Sequence, residues 1–181
     1  MATTIALVRH GETDWNRERR VQGHTDTPLN ETGRRQAAAL AATLAGEPIA
    51  AVYTSDLARA RDTASVLAEQ RGLEVRSDPR LREKHFGTWE GLHDHEVLER
   101  FPEAATGPWG DGETTAEMEE RVLLALGEIA SQHPDEQVLV VTHGGPLRAV
   151  LRQCAVEGLE QIANCHVARI AVRDEKLEQV D

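Results

Sequence analysis

Cysteine is scarce in this sequence: Cys154 and Cys165 are the only two. Two thiols exclude a disulfide framework, and their spacing excludes the paired CxxC of zinc or dithiol redox sites. A reducing compartment, the cytoplasm, is the expected location. Long apolar runs are missing too. No stretch reaches the roughly 18 apolar residues that a membrane span requires, and nothing resembling a secretory leader precedes the run Ile5 to Val8. No membrane is expected as a partner. Basic residues are in deficit, 20 Lys and Arg against 31 Asp and Glu, so the formal net charge is -11. That balance opposes binding to nucleic acid or anionic membrane surfaces, and nucleic acid is not expected as a partner either. A small phosphate ester is still admissible, because salt confines the diffuse field to a Debye length of about 8 Å and a few converging cations dominate inside it. Aromatic residues make up only 3% of the chain. Much of the 40% apolar content is alanine, which lets helices lie close against a sheet.

The length of 181 residues suits one domain, 1–181, with a core large enough to need neither disulfides nor metals. Short β-branched runs alternate with longer helical patterns, which predicts crossover units building a mostly parallel sheet. The expected strands are Thr4 to Val8, Ala50 to Thr54, Glu74 to Arg76, Gln137 to Thr142 and Val167 to Val172, the last as an antiparallel edge. Apolar residues at spacings of three and four predict helices through Ala37–Leu44, Leu57–Ala68 and Met118–Ile129. Thr114 and Glu117 have capping-box spacing ahead of the third, and Pro146 suits the first position of a fourth. The fold class expected is α/β, a three-layer sandwich with helices on both faces. The stretch Phe101 to Glu113, containing Trp109, reads as an excursion from this frame.

Two strands end in histidine followed by glycine: Arg9-His10-Gly11-Glu12-Thr13 after Val8, and Thr142-His143-Gly144-Gly145 after Val141. Ligands of parallel sheets bind beyond the carboxyl ends of strands, so both imidazoles fall where a site is expected. Glycine there lets a ligand approach main-chain N–H groups, and a helix starting near Pro146 adds an anion-attracting dipole. A third strand leads into Ser55-Asp56-Leu57-Ala58-Arg59, where Asp56 is placed to cap the helix and Arg59 to point back toward the strand ends. Arg61, rotated about 200° from Arg59, belongs to the surface.

Together with these segments, Asn16, Gln22-Gly23, Pro28-Leu29, Gly33, Gln36-Ala37, Leu81-Arg82-Glu83 and Phe86-Gly87 with Trp89-Glu90-Gly91 form an ordered set along nearly the whole chain. In that set the sequence resembles the histidine phosphatase superfamily, which includes the cofactor-dependent phosphoglycerate mutases. The resemblance implies that His10 is the nucleophile and becomes phosphohistidine. It implies that Arg9, Arg59 and His143 clamp the phosphoryl oxygens. Glu83 would then act as general acid to the leaving alkoxide and as base to the attacking water. Thr13, Asn16, Gln22, Gly23 and Gly144 would complete the substrate pocket. No metal and no cofactor is implied, and the expected partner is a small phosphorylated metabolite. A homodimer stays open as an assembly.

Hydrolysis of a phosphate monoester is the preferred reading. The first alternative is a phosphoglycerate mutase, which uses the same residues; larger mutases carry more chain between Glu83 and His143 than this sequence does, which helps to keep water from the phosphoenzyme. The second is a phosphate-recognition module without turnover, a role in which His10 and Glu83 have no purpose. Sugar phosphates, phosphoglycerate derivatives and nucleotide-loop precursors all stay open as substrates. Among the remaining histidines, His24 and His85 lie near motif segments, while His93 and His95 are expected on one helix, facing apart and unable to share a metal ion. Trp15 and Trp89 fit either a pocket wall or the core.

Overall fold

β1 (Thr3–Arg9) carries apolar residues on both faces, and both faces are covered. Ile5 and Leu7 pack with α5 (Thr115–Gln132) and α6 (Gly144–Gln153), while Ala6 and Val8 pack with α2 (Glu31–Thr43) and α3 (Ala58–Glu69). Two-sided burial is what a continuous apolar run in a parallel sheet predicts. The expected three layers are therefore present in the computed structural model, which describes residues 2–105, 110–156, 161–173 and 176–180. Trp109, the expected feature of the excursion loop, lies outside the described residues.

The remaining strands are β2 (Ile49–Thr54), β3 (Val75–Ser77), β4 (Gln137–Thr142), β5 (Val167–Arg173) and β6 (Lys176–Val180), in the sheet order β3-β2-β4-β1-β5-β6. β1, β2, β3 and β4 pair in parallel, and β5 and β6 are antiparallel. The sequence misplaces the edge. β5 is antiparallel as expected but interior, because β6 continues the sheet beyond it. Small residues set the close approach of the helices: Ala37 and Ala41 of α2 and Ala60, Ala64 and Ala68 of α3 are all buried.

Two short helices, α1 (Asp14–Arg17) and α4 (Asp94–Arg100), lie among the loops. Thr114 caps α5 through the expected reciprocal pair with Glu117. Pro146 occupies the third position of α6, not the first; it is tolerated because first-turn N–H groups have no intrahelical partner. The described part of the excursion docks on the segment after Glu83, with Glu113 N–H donating to His85 O and Thr88 N–H to Asp111 Oδ1. Trp89 is a core aromatic, stacked on Phe101, whereas Trp15 is half-buried beside Gly91.

Candidate active site

The register of β1 on β4 pairs Arg9 with Thr142, so His10 and His143 leave the sheet side by side. His10 N–H donates to Thr142 O at 3.0 Å, and the two rings stand 5.1 Å apart between centroids at 61°. Both are buried. β2 flanks β4 on its other side, and Ser55 N–H donates to Val141 O before the chain turns into α3. Arg59, second residue of that helix, is wholly buried, and it donates to Gly23 O at 2.7 Å and Thr25 O at 2.9 Å. Arg61 is exposed as expected.

The cap of α3 is a correction. Leu57 is the N-cap residue, and Ala58 N–H is met by Asp26 Oδ1 at 2.7 Å. Asp56 lies one position too early to cap and pairs instead with Arg82 through two bonds of 2.7 and 2.5 Å.

His10 Nδ1 lies 2.7 Å from Gly11 O. A carbonyl only accepts, so Nδ1 holds the proton and Nε2 keeps its lone pair. Burial foremost, then the guanidinium groups of Arg59 and Arg9, hold His10 well below the ordinary imidazole range, against the opposing bond to Gly11. His143 is depressed in the same way by burial, Arg59, His10 and Arg9. Burial also pushes Arg59 down to about 10, with Glu83, Asp26 and Glu90 opposing, so it stays charged at neutral pH. Arg9 Nε, Arg59 Nε and both ring nitrogens of His143 are buried without a protein hydrogen-bond partner. One such atom ordinarily costs about 1–3 kcal/mol, and four around one imidazole mark a site for an anion.

These shifts make stability pH-dependent. The folded state keeps His10 and His143 neutral, whereas the unfolded chain protonates them below about pH 6.5. The unfolded state then binds more protons, so stability is present above that pH and is lost as pH falls below it. The thermal midpoint is expected to fall between pH 7.5 and 5, less steeply in His143→Gln; the carboxylates held low by Arg82 and by backbone N–H groups act only further down. Parallel slopes in the two proteins would contradict this.

Glu83 follows a 3-10 turn, Pro79–Leu81, and its carboxylate reaches the start of α6. Oε2 accepts from Gly145 N–H at 3.0 Å and Oε1 from Lys84 N–H at 2.8 Å. A side chain at position 145 would collide with it, since a Cβ there would stand 2.0 Å from Glu83 Oε1. Gly144 opens α6, with Arg9 Nε 3.6 Å from where its own Cβ would be.

Thr13, Asn16 and Gln22 form one hydrogen-bonded cluster: Thr13 Oγ1 lies 3.1 Å from Asn16 Oδ1 and 3.0 Å from Gln22 Oε1, and it caps α1. Gly23, at φ 52, turns its carbonyl to Arg59; a Cβ there would strike Glu90. His24 and His85 lie with ring centroids 4.8 Å apart, and His24 Nε2 is 2.9 Å from Glu83 O. His93 and His95 do not face apart. Their rings stack at 5.3 Å because His93 is the extended N-cap of α4 rather than part of it. Among the described residues no group of three His, Cys, Asp or Glu side chains could hold a metal ion.

Sequence reasoning missed three positioning residues. Arg121 of α5 donates to the carbonyls of Arg80, Arg82 and Glu83 and pairs with Glu113. Its signal was available: an arginine between Met118 and Ala125 on the buried stripe. Asn164 donates to His10 O at 3.0 Å, and Glu90 accepts from the N–H groups of His24, Thr25 and Phe86. Glu90 stands within a motif, but Asn164 carries no local pattern.

Known proteins share this arrangement of chain. A metal-independent phosphoserine phosphatase of Arabidopsis thaliana is 42% identical over 187 residues, covering 96% of this chain and 78% of that protein. Phosphoglycerate mutase-like protein 4 of Arabidopsis thaliana is 41% identical over 177 residues, 90% of this chain and 76% of the relative. The structure of mycobacterial glucosyl-3-phosphoglycerate phosphatase in complex with VO3 superposes with a TM-score of 0.86 at 30% identity, covering 98% of this chain and 96% of that one. A profile of the histidine phosphatase superfamily, branch 1, matches residues 5–180, and the chain belongs to that superfamily.

Proposed function

We propose that this phosphatase opens small phosphate monoesters by two in-line transfers through His10. The observation that carries the reading is the freed Nε2 of His10 among four buried polar atoms that have no protein partner. Nε2 attacks phosphorus, the bond from phosphorus to the ester oxygen breaks, and the carboxyl proton of Glu83 passes to that oxygen. Water then attacks the phosphohistidine, its proton goes to the Glu83 carboxylate, and the P–N bond breaks. Arg9, Arg59 and His143 hold the equatorial oxygens throughout; Arg59 is pre-aimed by the carbonyls that anchor its other nitrogens. Gln22, Thr13 and Asn16 support the wall beside the nucleophile, Gly23 fixes Arg59, and Gly144 leaves the approach to the helix N-terminus clear.

The substrates proposed are small phosphorylated metabolites, in keeping with the phosphoserine and glucosyl-3-phosphoglycerate phosphatases to which the chain is similar. Cys154 and Cys165 are both free thiols, which supports a cytoplasmic setting; among the described residues no helix is long and apolar enough to cross a membrane. The test is hydrolysis of p-nitrophenyl phosphate and a phosphometabolite panel in chelator, with Arg59→Lys alongside. Chelator is expected to leave the rate unchanged. Arg59→Lys is expected to lower kcat/KM by about 10²–10³, since an ammonium cannot grip two carbonyls and an equatorial oxygen from one planar fork. Chelator-sensitive turnover, or rapid phosphoryl exchange that needs a bisphosphoglycerate primer and releases little phosphate, would overturn the reading.

A further inference from the structure

A cavity of about 280 Å³ adjoins the phosphoryl site, with Glu83 on its wall. If Glu83 gives its proton to the leaving oxygen, the alcohol portion of the substrate lies in this cavity, so its lining reads out what that alcohol is. The volume falls below the roughly 300 Å³ at which pockets for drug-sized ligands begin, which suits a short alcohol better than a nucleoside. Phe86 and Met118 give it an apolar side for a carbon chain.

Three of the other lining residues are cationic, in a protein of net charge -11. Lys84, Arg148 and Arg152 all border the cavity. The first and last have local counter-charges. Lys84 Nζ bonds to Thr115 Oγ1 at 3.2 Å and feels Glu113 and Glu83, and Arg152 pairs with Glu119 at 3.8 Å. Arg148, half-buried in the second turn of α6, has no side-chain hydrogen bond or ion pair among the described residues. Its charged neighbour is Arg9, which it disfavours. Arg148 Nη1 and Arg9 Nε both converge on Gly144, at 3.8 and 3.6 Å from where a Cβ would stand. A phosphoryl group occupies Arg9, so a second anion on the same substrate is what would offset Arg148.

Resting on the hydrolytic reading above, we propose that the alcohol portion of the substrate carries a carboxylate and that Arg148, with Lys84 beside it, selects for that group. A carboxylate takes both prongs of a guanidinium at once and fits a cavity this small.

The test compares 3-phosphoglycerate with sn-glycerol 3-phosphate, which differ in the carboxylate, with p-nitrophenyl phosphate as reference, in the native chain, Arg148→Met and Arg148→Lys. The native chain is expected to favour the acid by about 10- to 100-fold in kcat/KM, the range of a charged hydrogen-bonded pair. In Arg148→Met that ratio falls toward one through KM, and Arg148→Lys restores part of it. A native chain without preference, or an Arg148→Met change that lowers both esters alike, would overturn the proposal. If the native chain hydrolyses none of the three, the hydrolytic reading fails by itself, and calorimetric binding of the same two esters decides the anion: tighter binding of the acid that Arg148→Met removes supports it, equal affinities overturn it.

Discussion

His10→Ala is expected to lower kcat/KM on p-nitrophenyl phosphate by on the order of 10⁵-fold or more, comparable to losing the nucleophile in other covalent enzymes. The size follows from the proposed mechanism: without Nε2 no phosphoenzyme would form, and only the proposed clamp of Arg9, Arg59 and His143 would be left to assist water. Brief mixing with radiolabelled substrate should put acid-labile label on the native chain and none on the variant. The side chain is buried and bonded to Gly11 O, so the fold needs its own check. His10→Asn keeps a donor in the ring's place and should hold the thermal midpoint nearer to native while losing the same activity. A variant retaining more than about a hundredth of the rate would remove His10 from the reaction.

The second large effect is Glu83→Gln, and its size is expected to depend on the substrate. An alkyl phosphate needs a proton on its departing oxygen, so its kcat should fall by about 10²–10⁴, the usual worth of a general acid. p-Nitrophenolate leaves unassisted, and its transfer step should fall far less. The amide of the variant keeps one carbonyl oxygen for the two N–H groups, of Gly145 and Lys84, that the native carboxylate serves. Part of any loss is therefore positional, and it is common to both substrates. Equal losses in the transfer step itself on both would remove Glu83 as the acid to the departing oxygen; a loss in hydrolysis of the shared phosphoenzyme is common to both substrates.

What could be read from the sequence, and what could not, divides along a physical line. β1 and β4 were legible because burial on two faces leaves an unbroken apolar run, and the two histidines were legible because they end those runs. The helices α2, α3 and α5 announced themselves by their apolar stripes. β6 did not: among Lys176, Leu177, Glu178, Gln179 and Val180 none is buried, so no burial pattern marks this edge strand. Polar contacts across long sequence distances were also invisible. Asp26 capping α3, Asn164 holding the His10 carbonyl and Arg121 clasping three carbonyls depend on which loops the finished fold brings together. Asp56 shows the converse error, a residue of good cap chemistry that stands one position too early and pairs with Arg82. The stacked rings of His93 and His95 turned on where α4 begins, a one-residue matter that periodicity does not settle.

The sheet order also bears on how the protein is made. β1 is the earliest strand in the chain, yet its neighbours in the sheet are β4 and β5. A ribosome releases Ile5 to Val8 long before β4 and β5 exist to pair with them, so the nascent chain carries an unpaired apolar strand through most of its synthesis. His143 and Asn164 arrive later still than β2 and its helix. The proposed phosphoryl clamp is therefore incomplete until the last quarter of the chain has emerged, and it is finished together with the closing of the sheet.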